Sequence, residues 1–206
     1  MSVVAPLVRA ALNNIARANV NVPRTSRLSA SERCVHADDE VEYAPDEAME
    51  GPAFDEDLFF RAIARSDVRA LLIGRRALIA LGLPLNTRDY DFWIHIDDIQ
   101  RFNEIAELFD LFPNRSPEEA RKGGRYVLEG DEHVDVLISR EVPTIEGERV
   151  SFEALWSSRE PIEVAPHVQI HRPSLEGLIL TKRFANRPKD AEDLRMLAVL
   201  RERGVR

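Results

Sequence analysis

Between Asp38 and Asp57 the chain carries ten acidic residues and no lysine, arginine or histidine. Such a run repels itself and contains too little apolar surface to form a core, so it is typical of solvated, poorly ordered segments. Residues 1–31 show the opposite charge, with four arginines and no acidic residue. We therefore predict a charge-segregated, poorly ordered N-terminal arm over residues 1–52 and one ordered domain over residues 53–206.

The composition restricts what the protein contacts. The 206 residues carry a net charge of −8, so bulk charge does not attract nucleic acid, and any nucleotide site must be built locally. No stretch approaches the ~18 apolar residues of a membrane span, which predicts no membrane contact. The one cysteine, Cys34, excludes a disulfide framework and favours the reducing cytoplasm. The arginines before Glu32 also resemble a weak transit peptide, but we favour a poorly folded arm or a start codon assigned too early.

Downstream of the arm, hydrophobic periodicity predicts strands and helices in mixed order. A helix face is expected near the start of the domain, formed by Phe54, Leu58, Phe59, Ala62 and Ile63. The other predicted elements are strands over 68–73, 90–96, 125–128 and 133–139, helices over 75–81, 99–108, 175–184 and 189–203, and an irregular region with short strands over 143–166. Because strands and helices do not alternate strictly, we predict the α+β class: a short mixed β-sheet with flanking helices and a C-terminal helical segment.

Three aspartates interrupt the predicted strands. Asp89 and Asp91 are two residues apart at the start of one strand, so their side chains point the same way, with Cα atoms roughly 6–7 Å apart. Asp135 interrupts an otherwise apolar strand, where an aspartate costs free energy unless it is paired or bound to a metal ion. We predict that the three carboxylates converge on a divalent cation, since oxygen ligands suit Mg²⁺.

A glycine turn precedes these acids. Gly74 follows the first predicted strand and opens a helix, whose free amides and dipole would attract phosphate groups. Two metal ions about 3.5–4 Å apart, held by such carboxylates, can activate an attacking hydroxyl and stabilise a leaving pyrophosphate. An isolated Asp-x-Asp or glycine is usually only a turn feature, but the order of these motifs favours a metal site.

This order of motifs resembles the polymerase-beta-like nucleotidyltransferase superfamily, in which a strand, a small-residue turn and a helix precede an Asp-x-Asp and a third aspartate. Its small bacterial abortive-infection type (AbiEii-like) looks most similar, with Gly74 to Ala77 and then Thr87, Asp89 and Asp91 matching its pattern. A second block matches the same group, and it comprises Pro173 to Leu175, Leu178 to Lys182 and Arg187 to Leu194.

The resemblance implies a magnesium-dependent transfer of a nucleoside monophosphate from a nucleoside triphosphate to an acceptor hydroxyl on a nucleotide, RNA or protein. Asp89 and Asp91 would hold two Mg²⁺ ions, and Asp135 would complete the site and orient the acceptor. The nucleotide-binding residues implied are Gly74, Arg75, Thr87, Lys182 and Lys189. For the lysines, and for Arg187, ion pairing with Asp190 or Asp193 is the alternative role.

Two departures from the family pattern leave a second function open. Arg75 occupies a position that usually holds a small residue, where it either clamps phosphate or blocks the cleft. Leu85 replaces an arginine usual in the group. A catalytically degenerate binding protein, such as one member of a toxin–antitoxin pair with a cognate protein partner, is therefore the alternative to an enzyme. A phosphatase is disfavoured because its acids follow an apolar strand, whereas Asp89 and Asp91 precede one.

A tryptophan and four histidines complete the set of candidates. Trp93 shares the face of Asp89 and Asp91 if the strand is regular, so it either stacks on a base or packs in the core. The histidines show no zinc-ligand spacing and are expected to be structural or exposed; they are His95, His133, His167 and His171.

Overall fold

The computed structural model describes residues 54–184 and 187–204. A compact unit begins at Phe54 and runs to the C-terminus. The N-terminal arm expected over 1–52, including Cys34, lies outside the described residues, so its properties stay predictions. Within the described ranges, no helix is both long and apolar enough to cross a membrane.

Helices and strands alternate irregularly along the chain. Helices α1 to α7 span Glu56–Ala64, Gly74–Ala80, Ile99–Glu107, Pro117–Gly123, Phe152–Ser157, Leu175–Lys182 and Pro188–Glu202. Strands β1 to β9 span Ala70–Leu72, Tyr90–Ile94, Phe112–Pro113, Arg125–Glu129, His133–Leu137, Glu141–Pro143, Arg149–Ser151, Glu160–Ala165 and Val168–Arg172. A short 3-10 helix, Ile96–Asp98, leads into α3.

Local capping explains where several helices begin. The Asp55 carboxylate accepts a hydrogen bond from Leu58 N at the start of α1, and Ser174 accepts one from Gly177 N at the start of α6. Ser116 and Glu119 form a capping box at α4. Pro188 opens α7, where its fixed φ suits the first helical position and its missing N–H costs nothing.

Seven of these strands form one mixed sheet in the order β3-β4-β5-β2-β1-β9-β8. β2 runs parallel to β5 and β1 runs parallel to β9, whereas the other neighbouring pairs are antiparallel. The predicted α+β class, with a mixed sheet, flanking helices and a C-terminal helical segment, is confirmed. The sheet is wider than the short one expected.

The sheet separates two apolar layers of unequal size. Strand residues such as Phe92 and Val136 point into the main core, which includes α1, α3 and part of α6. On the opposite face, Leu71 and Trp93 pack with α5 in a smaller cluster. Because side chains alternate along a strand, Asp91 and Asp135 belong to the face with the smaller cluster.

The region over 143–166 is more regular than the sequence indicated. It contains β7, the helix α5 and all of β8, and β8 pairs with β9 in an antiparallel hairpin at one edge of the sheet. Pro161 lies inside β8, opposite His171. An edge strand tolerates proline because its unbonded side needs no N–H donor, so the prolines here did not prevent strand formation.

Candidate functional site

Two of the three predicted carboxylates stand side by side in the sheet. Asp91 on β2 is the register partner of Asp135 on the parallel strand β5. Neighbouring strands lie about 4.8 Å apart, and partners in register point to the same face. The parallel pairing therefore places side by side two acids that are 44 positions apart in the sequence.

The expectation that Asp135 lies inside a buried strand is wrong. Its side chain is 56% exposed, whereas Val134 and Val136 on either side are buried. Only one face of β5 contacts the core, so Asp135 points to solvent without a desolvation penalty. Its position next to the half-buried Asp91, and not burial, is what makes it a candidate for function.

Gly74 contacts Asp91 directly. Gly74 has a positive φ of 65°, and a Cβ atom at this position would overlap the Oδ2 atom of Asp91. Ile73 N also donates a hydrogen bond of 2.8 Å to Asp91 O. The glycine is therefore required to seat the Asp91 carboxylate, a role that sequence reasoning, which assigned Gly74 to phosphate binding, did not foresee.

Asp89 is exposed and lies just before β2, where two contacts fix its backbone. Asp89 N donates a hydrogen bond of 3.2 Å to Thr87 Oγ1, and Arg76 Nε donates one of 3.3 Å to Asp89 O. Arg76 in turn forms an ion pair with Glu56 and stacks over the Tyr90 ring at 3.5 Å. Thr87 thus acts on the backbone of Asp89, and its predicted contact with nucleotide stays a prediction.

The charges around Asp91 act on its protonation. Burial raises the pKa of Asp91, and the nearby carboxylates of Asp135 and Asp89 raise it further, while Lys182 and Lys189 oppose the rise. A carboxylate that is half-buried among like charges favours a proton or a cation. The same pattern shows that all three aspartates act on one local electrostatic site.

A buried ion-pair network lies behind Asp91. Lys182 Nζ is 2.8 Å from Asp193 Oδ2 and 3.8 Å from Asp190 Oδ1, and all three residues are at most 5% exposed. Arg75 joins this network, with Nη2 at 3.2 Å from Asp193 Oδ1 and Nε at 3.4 Å from Asp193 Oδ2. For Lys182 the structure shows the ion pair that was the alternative role, and Arg75 also pairs with Asp193; contact of either residue with a nucleotide stays a prediction.

Two further cations face the carboxylates from the start of α7. Lys189 is exposed and lowers the pKa of Asp91 through its charge. Arg187 forms a bidentate pair with Asp190 at 2.7 and 3.1 Å, and this hydrogen bonding raises the Arg187 pKa, with smaller contributions from Asp91 and Asp135. The sequence-based prediction did not place Arg187 among the nucleotide-binding residues, although its position beside Lys189 before a Pro-initiated helix is a usable signal.

The remaining candidates have different environments. Trp93 is fully buried, and its Nε1 donates a hydrogen bond of 2.9 Å to Ser139 O, so it packs in the core and does not stack on a ligand. His133 is exposed, as expected, but its Nε2 lies 3.8 Å from Asp135 Oδ2. Positions 133 and 135 alternate onto one strand face, which is the signal that places this histidine at the site.

The donor chemistry of the site suits Mg²⁺, because its candidate ligands are carboxylates. Among residues 54–184 and 187–204, no three His, Cys, Asp or Glu side chains are gathered closely enough to bind a metal ion. The structure shows Asp91 and Asp135 in register and the charge of Asp89 acting on Asp91, and the binding of one metal ion by all three stays a prediction. Two oxygen-donor side chains in register, whose repulsion a cation would relieve, fit a hard cation of this kind.

Comparisons with known proteins identify no family. No protein-family model and no curated protein matches the sequence. Solved structures with a partial likeness include TM1012 of Thermotoga maritima, which was proposed to be a nucleotidyltransferase, at 15% identity and a TM-score of 0.47 over 68% of this chain and 87% of that one. Another is the antibiotic-resistance factor ANT(2'')-Ia, at 15% identity and a TM-score of 0.49 over 68% and 79%. The likeness is weak, and nothing about the ligands of this chain follows from it.

Proposed function

We propose that the protein is a magnesium-dependent nucleotidyltransferase that moves a nucleoside monophosphate from a nucleoside triphosphate to an acceptor hydroxyl. The observation that carries this proposal is the parallel register of Asp91 with Asp135, beside Gly74 and opposite the cations Lys189 and Arg187. Carboxylates and cations close enough to act on each other's charge suit a ligand that brings both phosphate groups and a divalent cation.

Each residue has a distinct part in this proposal. Asp91 and Asp135 would hold Mg²⁺, and Asp89 would join them when the ion and the triphosphate are bound. Bound Mg²⁺ supplies charge neutralisation at the phosphates and polarises a phosphoryl oxygen. Lys189 and Arg187 would contact the phosphates, since both are exposed at the start of α7 and their charges reach the acids.

Asp135 is the residue that would contact the acceptor hydroxyl. Its exposed carboxylate can accept a hydrogen bond from an incoming hydroxyl and hold that proton at Oδ as the oxygen bonds to the α-phosphorus. The bond from the α-phosphorus to the bridging oxygen breaks in the same step, and pyrophosphate leaves. His133, 3.8 Å from Asp135, is placed to orient this carboxylate.

Calorimetry with the four ribonucleoside triphosphates, with and without Mg²⁺, tests the proposal. We expect binding that requires Mg²⁺ and disappears when Asp89 and Asp91 are both changed to asparagine, because triphosphate and carboxylates repel without a bridging cation. Folded wild-type protein that binds none of the four would contradict the enzyme proposal.

A second candidate function is that of a catalytically degenerate binding protein. It is favoured by one observation: the three carboxylates are not gathered into a preformed ligand set in the described part of the chain. Triphosphate binding without release of pyrophosphate, over a range of acceptors, would favour this alternative. A cognate protein partner, as in a toxin–antitoxin pair, would then be the natural object of a pull-down experiment.

A further inference from the structure

An exposed basic surface lies around the end of α4 and the C-terminal end of β5, the strand that carries Asp135. It consists of five residues, Arg115, Arg121, Lys122, Arg125 and Arg140, all exposed. None of the five forms an ion pair with a carboxylate within residues 54–184 and 187–204. In a protein of net charge −8 these five cations form a group, with the exposed acids Glu118 and Glu119 beside them on α4.

The backbone brings these residues together. Gly124 follows α4 as its C-cap with a φ of 71°, and Gly124 O accepts hydrogen bonds from Ile138 N and Ser139 N at 2.9 and 3.0 Å. The end of α4 therefore lies against the end of β5. Between them is an open concavity of about 560 Å³, lined by Arg121, Lys122 and Arg140 and also by Glu141, whose carboxylate pairs with Arg149.

Arg125 connects this basic surface to the candidate site. It is the register partner of Leu137 on β5, and Val127 is the partner of Asp135. Arg125 therefore shares the sheet face of Asp135 and lies diagonally from it, at about 7–8 Å between Cα atoms. Arg115 Nη1 donates a hydrogen bond of 3.3 Å to Arg125 O, which keeps it in the same group.

A hydrogen bond links one part of this surface to the strand that carries Asp91. Trp93, two residues after Asp91, donates its indole N–H to Ser139 O, and Ser139 precedes Arg140 directly. The indole is fully buried, so this contact is not exposed to competing water. This hydrogen bond connects the backbone next to Arg140 to the strand that carries Asp91.

We propose that this basic surface docks the acceptor, and that the acceptor is a single-stranded nucleic acid. The proposal rests on the nucleotidyl transfer proposed above. A nucleic acid strand carries hydroxyls and phosphates on one chain, so a hydroxyl can reach Asp135 while the neighbouring phosphates contact Arg125 and the concavity beyond it. Four of the five side chains are arginines, whose planar guanidinium groups bind phosphate in a bidentate manner.

Fluorescence anisotropy with short labelled RNA and DNA strands tests this proposal on the full-length protein, in EDTA and without nucleotide. The test variant combines Arg121→Ala, Lys122→Ala and Arg140→Ala. The matched control combines Arg65→Ala, Arg101→Ala and Arg203→Ala, which removes equal charge at other exposed positions. The RNA and DNA arms identify which strand is preferred, and a duplex of the same sequence tests the requirement for a single strand.

We expect the test variant to bind the strand at least about tenfold more weakly than wild type. The slope of log affinity against log salt concentration should become shallower by ~0.7 for each phosphate that the variant no longer neutralises. The control should bind within about twofold of wild type, since its charges lie away from the strand. Equal binding by the test variant, equal weakening in the control, or preference for the duplex would overturn the proposal.

Triphosphate binding separates this proposal from the one on which it rests. The test variant should bind triphosphate and Mg²⁺ as wild type does, because none of the three changed residues belongs to the carboxylate site. Wild type that binds triphosphate but no strand would overturn the docking proposal and leave nucleotidyl transfer standing. Strand binding without any triphosphate binding would overturn the acceptor role.

Discussion

The Asp91 carboxylate occupies the space in which any side chain at Gly74 would begin. Asp91 therefore depends on the absence of a side chain at Gly74, and Gly74 depends on the positive φ that glycine adopts without penalty. The position of the Asp91 carboxylate on β2 thus depends on the backbone at the start of α2.

Gly74→Ala should abolish Mg²⁺-dependent triphosphate binding. The new methyl group would displace the Asp91 carboxylate, and the positive φ would cost about 1–2 kcal/mol of stability in a residue with a Cβ. Gly147→Ala is the matched control: Gly147 also has a positive φ, of 86°, but a Cβ there meets nothing within 4 Å. We expect both variants to lose stability in urea titration and only Gly74→Ala to lose binding in calorimetry. Normal binding by Gly74→Ala would show that Asp91 can move without consequence.

Asp91→Asn should raise the melting temperature at neutral pH in the absence of Mg²⁺, while abolishing Mg²⁺-dependent triphosphate binding. Burial and the charge of Asp135 raise the folded-state pKa of Asp91. Between the unfolded pKa and this raised value the folded state binds more protons, so stability falls as pH rises through that window. Above it, the ionised carboxylate remains destabilising, and asparagine removes that cost.

The pH dependence provides the check on this second prediction. Melting temperatures of wild type should decline on going from acid to neutral pH more than those of Asp91→Asn, and saturating Mg²⁺ should reduce the difference. Asp131→Asn, at an exposed position in the turn between β4 and β5, serves as the control and should behave as wild type. A lower melting temperature for Asp91→Asn at neutral pH would contradict this account of the site.

Arg75→Ala should destabilise the fold by about 1–3 kcal/mol, because it removes one cation from the fully buried carboxylate of Asp193. Lys182 alone would then offset that charge. The control is Arg149→Ala, which breaks an exposed pair with Glu141 at 2.9 Å and should cost less than about 1 kcal/mol. Urea titration measures both, and a small effect at Arg75 would show that the network does not need its guanidinium.

Deletion of residues 1–51 should leave a folded domain, because that segment is charge-segregated. The compact unit that begins at Phe54 carries α1, whose Phe59 and Phe60 are buried in the main core. Differential scanning calorimetry of the truncated and full-length proteins gives the comparison. A large drop in melting temperature on truncation would show that the arm contributes to the fold.

Much of the site could be predicted from local patterns. The alternation of Tyr90, Phe92 and Ile94 with Asp91 indicates a strand with one apolar face. The structure has a strand at this position, β2, and another at the position predicted around Asp135, β5. The hairpin of β8 and β9 could not be predicted as readily. Pro161 and the alternating glutamates weaken the local strand signal, and pairing at the edge of the sheet overrides it.

The sequence by itself determined which residues face the core and which acids interrupt the strands, because side-chain alternation is a local property of the backbone. Only the tertiary structure decided that β2 and β5 pair in parallel with Asp91 opposite Asp135, and that Asp135 is exposed. Partner choice and register depend on how the whole sheet buries its apolar face, and not on the residues of either strand alone. In the same packing, Lys182 and Arg75 form ion pairs with the buried Asp193, whereas Lys189 is exposed. No local sequence pattern distinguishes these two environments.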